Sequence, residues 1–355
     1  MDQPWMIYGA YGYSGRLIAQ EAAARGMRPT LAGRRREPLE AVARDLGLAW
    51  RAFDLADGDA IDQALQGHRL VLHCAGPFVH TSAPMVEACL RTGVHYLDIT
   101  GEIAVFEAIF ARGEEARARR VALLPGVGFD VVPSDCLARH VAERCPGARS
   151  LELFIDAGTS MSAGTTRSML EALPAGGLVR RGGRLVPHPL GTGVRTAPFL
   201  HGEKQVIPIP WGDLSTAWRS TGIPDITTYM VAPTGAPTAL RLLGPILHKA
   251  MEAAPIRDAI GRLAGDLARP PDAEARRAGR SEIHARAEGG GRYAEAWLEL
   301  PEPYRFTALS ALRVVERVLA AEPAGALPPA QAFGADLVLE IPGVRRHDEH
   351  PGRSA

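Results

Sequence analysis

Short apolar runs alternate with helix-spaced apolar positions over the first 130 residues. Runs at 4–9, 29–33, 50–53, 69–74, 94–98 and 120–124 read as strands. The segments between them, 13–25, 37–46, 57–66, 80–92 and 103–118, carry apolar residues three and four apart and read as helices. Because the strand runs are apolar throughout and do not alternate, they predict parallel strands buried on both faces. Six strands with five helical crossovers make a doubly wound sheet. From residue 149 the pattern changes to longer strands and turns: 151–156, a hairpin around 180–190, strands at 205–209, 215–220 and 226–231, and a second hairpin, 282–287 with 293–300, around Gly289-Gly290-Gly291. Pro208 and Pro210 suggest an edge strand there. Helices are expected from Pro133 or Ser134 to about 144, near 165–173, over 236–268 with a broad apolar face, and from Thr307 to Ala320.

The fold class expected is therefore α/β: a Rossmann-type doubly wound parallel sheet plus a second α+β domain with a mixed sheet. The first domain covers 1–130 and is completed by about 305–355; the second covers 131–304. The tail from Arg345 is expected to be mobile. A length of 355 residues suits two domains.

Composition removes several classes of function. The formal net charge is zero, which leaves no field to gather nucleic acid. Only Lys204 and Lys249 are lysines, so mechanisms that need a catalytic lysine have two candidates. Cys74, Cys89, Cys136 and Cys145 show no metal-ligand spacing, and no metal is expected. With no basic-plus-apolar leader and no apolar run of about 18 residues, the expectation is a cytoplasmic protein without a transmembrane segment. No Walker, nucleophile-elbow or HExxH pattern occurs.

The candidate chemistry begins where the first strand ends. Gly9, Gly12 and Gly15 are three apart between a strand and a helix, with Tyr11, Tyr13 and Ser14 among them. Such a turn brings backbone close to a pyrophosphate and aims helix N–H groups at it. At the end of the second strand an NAD site would place a carboxylate. Here Gly33 is followed by Arg34, Arg35 and Arg36, which favours the 2'-phosphate of NADP(H). Asp54 ends the third strand, either near the adenine or as the cap of the next helix. Ala75, Gly76 and Pro77 follow the fourth strand on the other side of the switch point, where a nicotinamide approaches backbone. Thr100 and Gly101 after the fifth strand, and Gly126 and Phe129 after the sixth, complete the cofactor walls, with Phe129 a candidate to cover a nicotinamide face. Candidate proton donors are Tyr96, His80, Asp98, Glu102 and Asp130. The hydroxyl-rich loop 158–166 is either a capped connection or an anion site.

Four segments in this order, Tyr8 to Ile18, Ala75 to Phe78, Tyr96 to Glu102 and Pro125 to Asp135, resemble the saccharopine dehydrogenase-like oxidoreductase family. The resemblance covers residues 1 to about 145 well, and more loosely the helix near 305–321 with Pro328 to Gly334. It implies an NADP-binding Rossmann domain, a mixed-sheet second domain and a cleft between them. Within the family the chain looks closer to the bacterial trans-acting enoyl reductases than to the saccharopine dehydrogenases of lysine metabolism. The expected partner is a small-molecule substrate, and the mixed sheet offers a face for a homodimer. Three activities stay open. One is hydride transfer from NADPH to an activated C=C, with the apolar helices at 236–268 housing a chain. Another is transfer to a C=N bond of an amino-acid-derived substrate, which would need Arg167, Arg180, Arg195 or Arg219 to converge on carboxylates. The third is a non-catalytic NADP sensor or scaffold.

Overall fold

The computed structural model describes residues 3–158, 162, 166, 176–232 and 270–350. The expected helices near 165–173 and 236–268, most of the 158–166 loop and the side chain of Arg167 lie outside the described residues. The chain divides into two compact units. The first runs to Val132 and adds Tyr304–Phe333; the second takes Pro133–Pro303 and the chain from Gly334.

In the first unit, strands β1 (Trp5–Tyr8), β2 (Thr30–Gly33), β3 (Trp50–Ala52), β4 (Leu70–His73), β5 (His95–Asp98) and β6 (Ala122–Leu124) are all parallel. They lie in the order 6-5-4-1-2-3, so the chain reverses direction between β1 and β4. Every residue of β1, β4 and β5 is buried, as the unbroken apolar runs require. A two-residue strand not expected from the pattern, Gly325–Ala326, pairs with β6 and makes seven. The helix α1 (Tyr13–Ala24) returns the chain from β1 to β2. The long helix expected over 103–118 is two, Ile103–Phe110 and Gly113–Ala118. Glycine is a poor helix former, and the break lets the Gly113 backbone pack on Ala326, 3.8 Å from where a Cβ would stand.

The second unit is built on a mixed sheet. Its central path runs Arg195–Phe199, Gly202–Pro208, Asp225–Val231, Ser150–Asp156, Arg280–Gly289, Arg292–Pro301 and Arg345–His347, with the hairpin Gly177–Arg181 and Arg184–His188 attached to Asp225–Val231. Three expectations change here. Residues 215–220 are not a strand: Asp213–Thr221 is a helix, with acidic Asp213 in its first turn and Gly222 left-handed at φ 72° closing it. The strand ending at Pro208 is paired on both sides and is no edge. Its ladder with Arg195–Phe199 stops at Val206, so Pro208 lies past the point where an N–H is needed on that side. The start of the segment from Arg345 is ordered as a strand, because Arg345–His347 pairs antiparallel with Trp297–Glu299. It therefore belongs with the second unit, whereas Tyr304–Phe333 joins the first.

The centre of this sheet carries stacked rings at paired positions. Tyr229, Phe154, His284 and Trp297 are register partners on four neighbouring strands. Their centroids are 4.9, 5.1 and 4.5 Å apart with planes within 17°. Cross-strand aromatic pairs of this kind fix register as well as adding attraction.

Candidate functional site

The turn after β1 is shaped by two glycines. Gly9 has φ +84°, and a Cβ there would stand 2.9 Å from Ala75 and the Cys74 carbonyl carbon. This contact brings the β1 turn against the β4 turn. A Cβ on Gly15 would stand 2.3 Å from the Gly9 carbonyl oxygen, so only glycine lets α1 begin this close to β1. Gly12, the residue before α1, is extended and offers no side-chain cap, and the first turn holds no acidic residue. The first-turn N–H groups of Tyr13, Ser14 and Gly15 sit at the positive end of the helix dipole, as an anion site requires. Tyr13 stands edge-on to Tyr304, ring centroids 4.9 Å apart.

The end of β2 lies beside this turn. Gly33 is buried, and a Cβ on it would enter the ring of Tyr11 at 2.6 Å. The ring of Tyr11 thus lies over the strand end, with the Arg35 guanidinium 5.2 Å from its centroid and the Arg35 N–H donating to the Tyr11 hydroxyl oxygen at 3.4 Å. Arg34 and Arg35 are exposed. Arg36 turns elsewhere, over Trp50 and toward Glu40. Two guanidiniums and no carboxylate therefore stand at the end of β2, a donor set that fits a phosphate and not a ribose hydroxyl. Asp54 is exposed, and its carboxylate accepts the Ala56 N–H at 3.0 Å. It does not cap the next helix; Asp57 does, accepting from the Ala60 N–H at 3.0 Å.

Ala75, Gly76 and Pro77 form a tight turn with a cis Gly76–Pro77 bond. Thr81 donates to the Ala75 carbonyl at 2.7 Å, and the buried His73 Nε2 lies 3.0 Å from the same hydroxyl. Burial lowers the His73 pKa to about 3, so the imidazole is neutral. His80 is exposed on the helix Phe78–Thr92.

The five candidate proton donors separate by position. Tyr96 and Asp98 are both fully buried. The Tyr96 hydroxyl donates to Asp98 Oδ2 at 2.7 Å, and Asp98 Oδ1 accepts the Thr100 and Gly126 N–H groups at 3.0 and 2.8 Å. Burial raises the Asp98 pKa to about 6 against these three donors, and pushes Tyr96 well above its usual value. This pair is enclosed, and its hydrogen bonds brace the loops after β5 and β6. Glu102 accepts the Phe78 N–H at 2.8 Å and the Val79 N–H at 2.7 Å, capping a helix that begins 24 residues earlier. Thr100 is buried and accepts the Glu102 N–H at 3.1 Å. Asp130 is half-buried, its carboxylate over Gly101 with Oδ2 2.9 Å from where a Cβ would stand. Burial, with Glu102 adding to it, raises the Asp130 pKa to about 6.

Phe129 is held by neighbours remote in sequence. It is buried, its ring packs edge-on against Phe306 at 5.9 Å, and its N–H donates to Thr307 Oγ1 at 3.1 Å. These contacts tie Phe129 to the helix Pro303–Ala321. Gly126 is buried likewise, occupied with Asp98. Sequence reading missed Thr307 and Ser310, the latter donating to the Val127 carbonyl at 2.9 Å. Two hydroxyl residues three apart on the otherwise apolar face of a helix were the available signal.

Among the described residues, no group of three or more His, Cys, Asp or Glu side chains could hold a metal ion, and no helix is long and apolar enough to cross a membrane.

The chain is similar to several known proteins. A sequence family described as "Saccharopine dehydrogenase NADP binding domain" matches residues 5–124. A trans-acting enoyl reductase of Mycobacterium leprae is 35% identical over 156 residues, 42% of this chain and 37% of that protein. A saccharopine dehydrogenase-like oxidoreductase of Rattus norvegicus is 23% identical over 279 residues, 71% of this chain and 61% of that protein. The chain thus spans less than two thirds of the length of these relatives. Among solved structures, saccharopine dehydrogenase (L-Glu forming) of Saccharomyces cerevisiae superposes with a TM-score of 0.63 at 12% identity, covering 95% of this chain and 96% of that one. That likeness shows the fold. Residues 5–124, which match the saccharopine dehydrogenase NADP-binding domain, hold the six parallel strands β1–β6 and the glycine turn.

Proposed function

We propose that the protein is an NADPH-dependent reductase that acts on an activated C=C bond of a small molecule with an apolar chain. The observation that carries the cofactor half of this reading is Arg34 and Arg35 at the end of β2, where no carboxylate is present. When bound, NADPH supplies the hydride. The chain's own residues bind and orient: the start of α1 takes the pyrophosphate and Arg34 with Arg35 takes the 2'-phosphate. Asp130 is the candidate that combines partial exposure with a pKa near neutral, so it is placed to hold a proton.

The choice of C=C rests on the enoyl reductases among the relatives, 35% identical in M. leprae and 31% in M. ulcerans. A carboxylate-bearing imine is supported less well, because three of the four candidate arginines, Arg180, Arg195 and Arg219, are engaged within the second unit. Arg180 is buried, donating to the Gly183 carbonyl at 2.6 Å and lying over Trp218. Arg195 pairs with Glu152, and Arg219 donates to the Ser215 carbonyl at 2.9 Å. The test is incubation with NADPH deuterated at the transferable position and a panel of enoyl thioesters and imines, followed by mass spectrometry. One deuterium in a reduced enoyl product supports the reading. Deuterium in an amine product selects the imine reading. NADPH binding without transfer to any compound, in the panel or in a cell extract, supports a sensor or scaffold.

A further inference from the structure

Two arginines beyond β2 are left without an acid while their neighbours find one. Arg36 and Arg44 share Glu40, Arg25 pairs with Glu21, and Arg16 with Asp45. Among the described residues Arg34 and Arg35 make no ion pair. Asp54, which follows the adjacent strand β3, turns its carboxylate to the Ala56 N–H at 3.0 Å. Arg35 also stands where an arginine does its helix no good: it precedes the helix Arg36–Leu46, is extended, makes no side-chain cap hydrogen bond, and meets the positive end of the dipole. What holds it is Tyr11. The guanidinium lies 5.2 Å from the Tyr11 ring centroid, and the Arg35 backbone N–H donates to the Tyr11 hydroxyl oxygen at 3.4 Å. The ring in turn needs Gly33. That residue ends β2 and is not left-handed, so the backbone does not require a glycine there. Space does, because a Cβ would stand 2.6 Å from Tyr11 Cε1 and 3.1 Å from Cδ1. Glycine weakens a strand, and a close approach of this kind is what it admits in return.

We propose that Tyr11 is a positioning residue for cofactor choice: seated on Gly33, its ring and hydroxyl hold Arg35 at the end of β2, so that the guanidinium is in place for a 2'-phosphate before the cofactor arrives. The inference rests on the reading of Arg34 and Arg35 as the 2'-phosphate site, and it adds the device that presents one of them. The advantage is preorganisation. A free arginine has many rotamers, and restricting them beforehand leaves less freedom to lose on binding. An aromatic face does this without neutralising the charge, whereas a carboxylate partner would compete with the phosphate. Arg34 has no ring contact among the described residues. Loss of Tyr11 therefore acts through Arg35 and leaves the Arg34 contribution in place.

The experiment measures NADPH and NADH dissociation constants of the full chain by calorimetry at fixed ionic strength. The proteins are the native chain, Tyr11→Leu, Tyr11→Phe, Arg35→Ala and the double variant that combines Tyr11→Leu with Arg35→Ala. The readout is the ratio of the two constants, so a turn that merely loosens and weakens both cofactors alike leaves it unmoved. Tyr11→Leu should lower the preference for NADPH about three- to fivefold, and Tyr11→Phe, which keeps the ring and loses the hydroxyl, by less. In the Arg35→Ala background the Tyr11→Leu change should alter the preference by less than about twofold, since the group it positions is gone. Equal effects of Tyr11→Leu with and without Arg35 overturn the proposal, as does a Tyr11→Leu protein that keeps the native preference. A native protein that binds NADPH and NADH alike fails the 2'-phosphate reading itself, whereas a preference lost in Arg35→Ala and kept in Tyr11→Leu fails this inference alone. Should Tyr11→Leu not fold, Tyr11→Phe and Gly33→Ala decide. The methyl of Gly33→Ala displaces the Tyr11 ring and removes nothing from Arg35, so both variants should lower the preference, and a native ratio in both overturns the proposal.

Discussion

Replacing His73 by glutamine tests how the core beneath the site responds to acid. The imidazole is fully buried among Tyr8, Phe78 and Tyr96, with one nitrogen facing the Thr81 hydroxyl at 3.0 Å and the other, Nδ1, without a hydrogen-bond partner. Its pKa falls from 6.5 to about 3 on folding because burial penalises the charged ring. Below 6.5 the unfolded chain therefore binds one more proton than the native one, and stability drops by about 1.4 kcal/mol for each pH unit until the native pKa is reached. Between pH 7 and pH 5 this residue alone costs about 2 kcal/mol. The glutamine of His73→Gln would keep an amide near Thr81 and cannot titrate. Asp98 and Asp130 titrate in both proteins and cancel in the difference. The assay is denaturant-dependent hydrogen exchange of β4 peptides, which reads the first unit by itself, at pH 7 and pH 5 for both proteins. The variant's loss between the two pH values should be smaller by about 2 kcal/mol. Equal losses would refute the claim that a neutral, enclosed imidazole sits there.

Gly15→Ala places a methyl 2.3 Å from the Gly9 carbonyl oxygen, so α1 must shift off β1; overpacking of this kind costs about 1–3 kcal/mol. A thermal melt should fall by several degrees and NADPH affinity by about tenfold or more; a variant matching the native protein in both would show that the close approach is unimportant. His284 lies between Phe154 and Trp297, and burial lowers its pKa. It must stay neutral in the native state, so the second unit loses stability as pH falls below 6.5. His284→Phe should keep the ring stack and flatten that loss, as read by urea unfolding at pH 5 and pH 8. Removing residues 345–355 strips the strand that pairs with Trp297–Glu299 and should speed exchange of amides in 292–301 without changing NADPH affinity, measurable by mass spectrometry and titration.

The first unit was legible because its strands are buried on both faces and its turns carry glycines with steric duties. Apolar runs and glycine spacing report those constraints directly. What the sequence concealed was the direction of side chains. Glu102 and Asp98 look alike in a run of polar residues beyond a parallel strand, yet one caps a helix begun 24 residues earlier and the other saturates two loops. The packing of Phe129 was hidden for the same reason, since its partner Phe306 is remote in sequence. In the second unit, Ser215 to Ser220 carries β-favouring Thr216 and Trp218, and local propensity pointed to a strand. The acidic start at Asp213 and the left-handed Gly222 were the better guides. The Arg345 strand is charged and short, and only pairing to Trp297–Glu299 gives it structure.

In the proposed reading, Arg34 and Arg35 at the end of β2 select a phosphate. The most direct measurement is the dissociation constants of NADPH and NADH for the native protein and for Arg34→Ala and Arg35→Ala, by calorimetry at fixed ionic strength. Charge-assisted contacts to a 2'-phosphate predict NADPH binding tighter by about 10- to 100-fold, with most of that preference lost in the arginine variants and NADH affinity little changed. Equal affinity for the two cofactors in the native protein, or a preference for NADPH that survives both substitutions, would contradict the account.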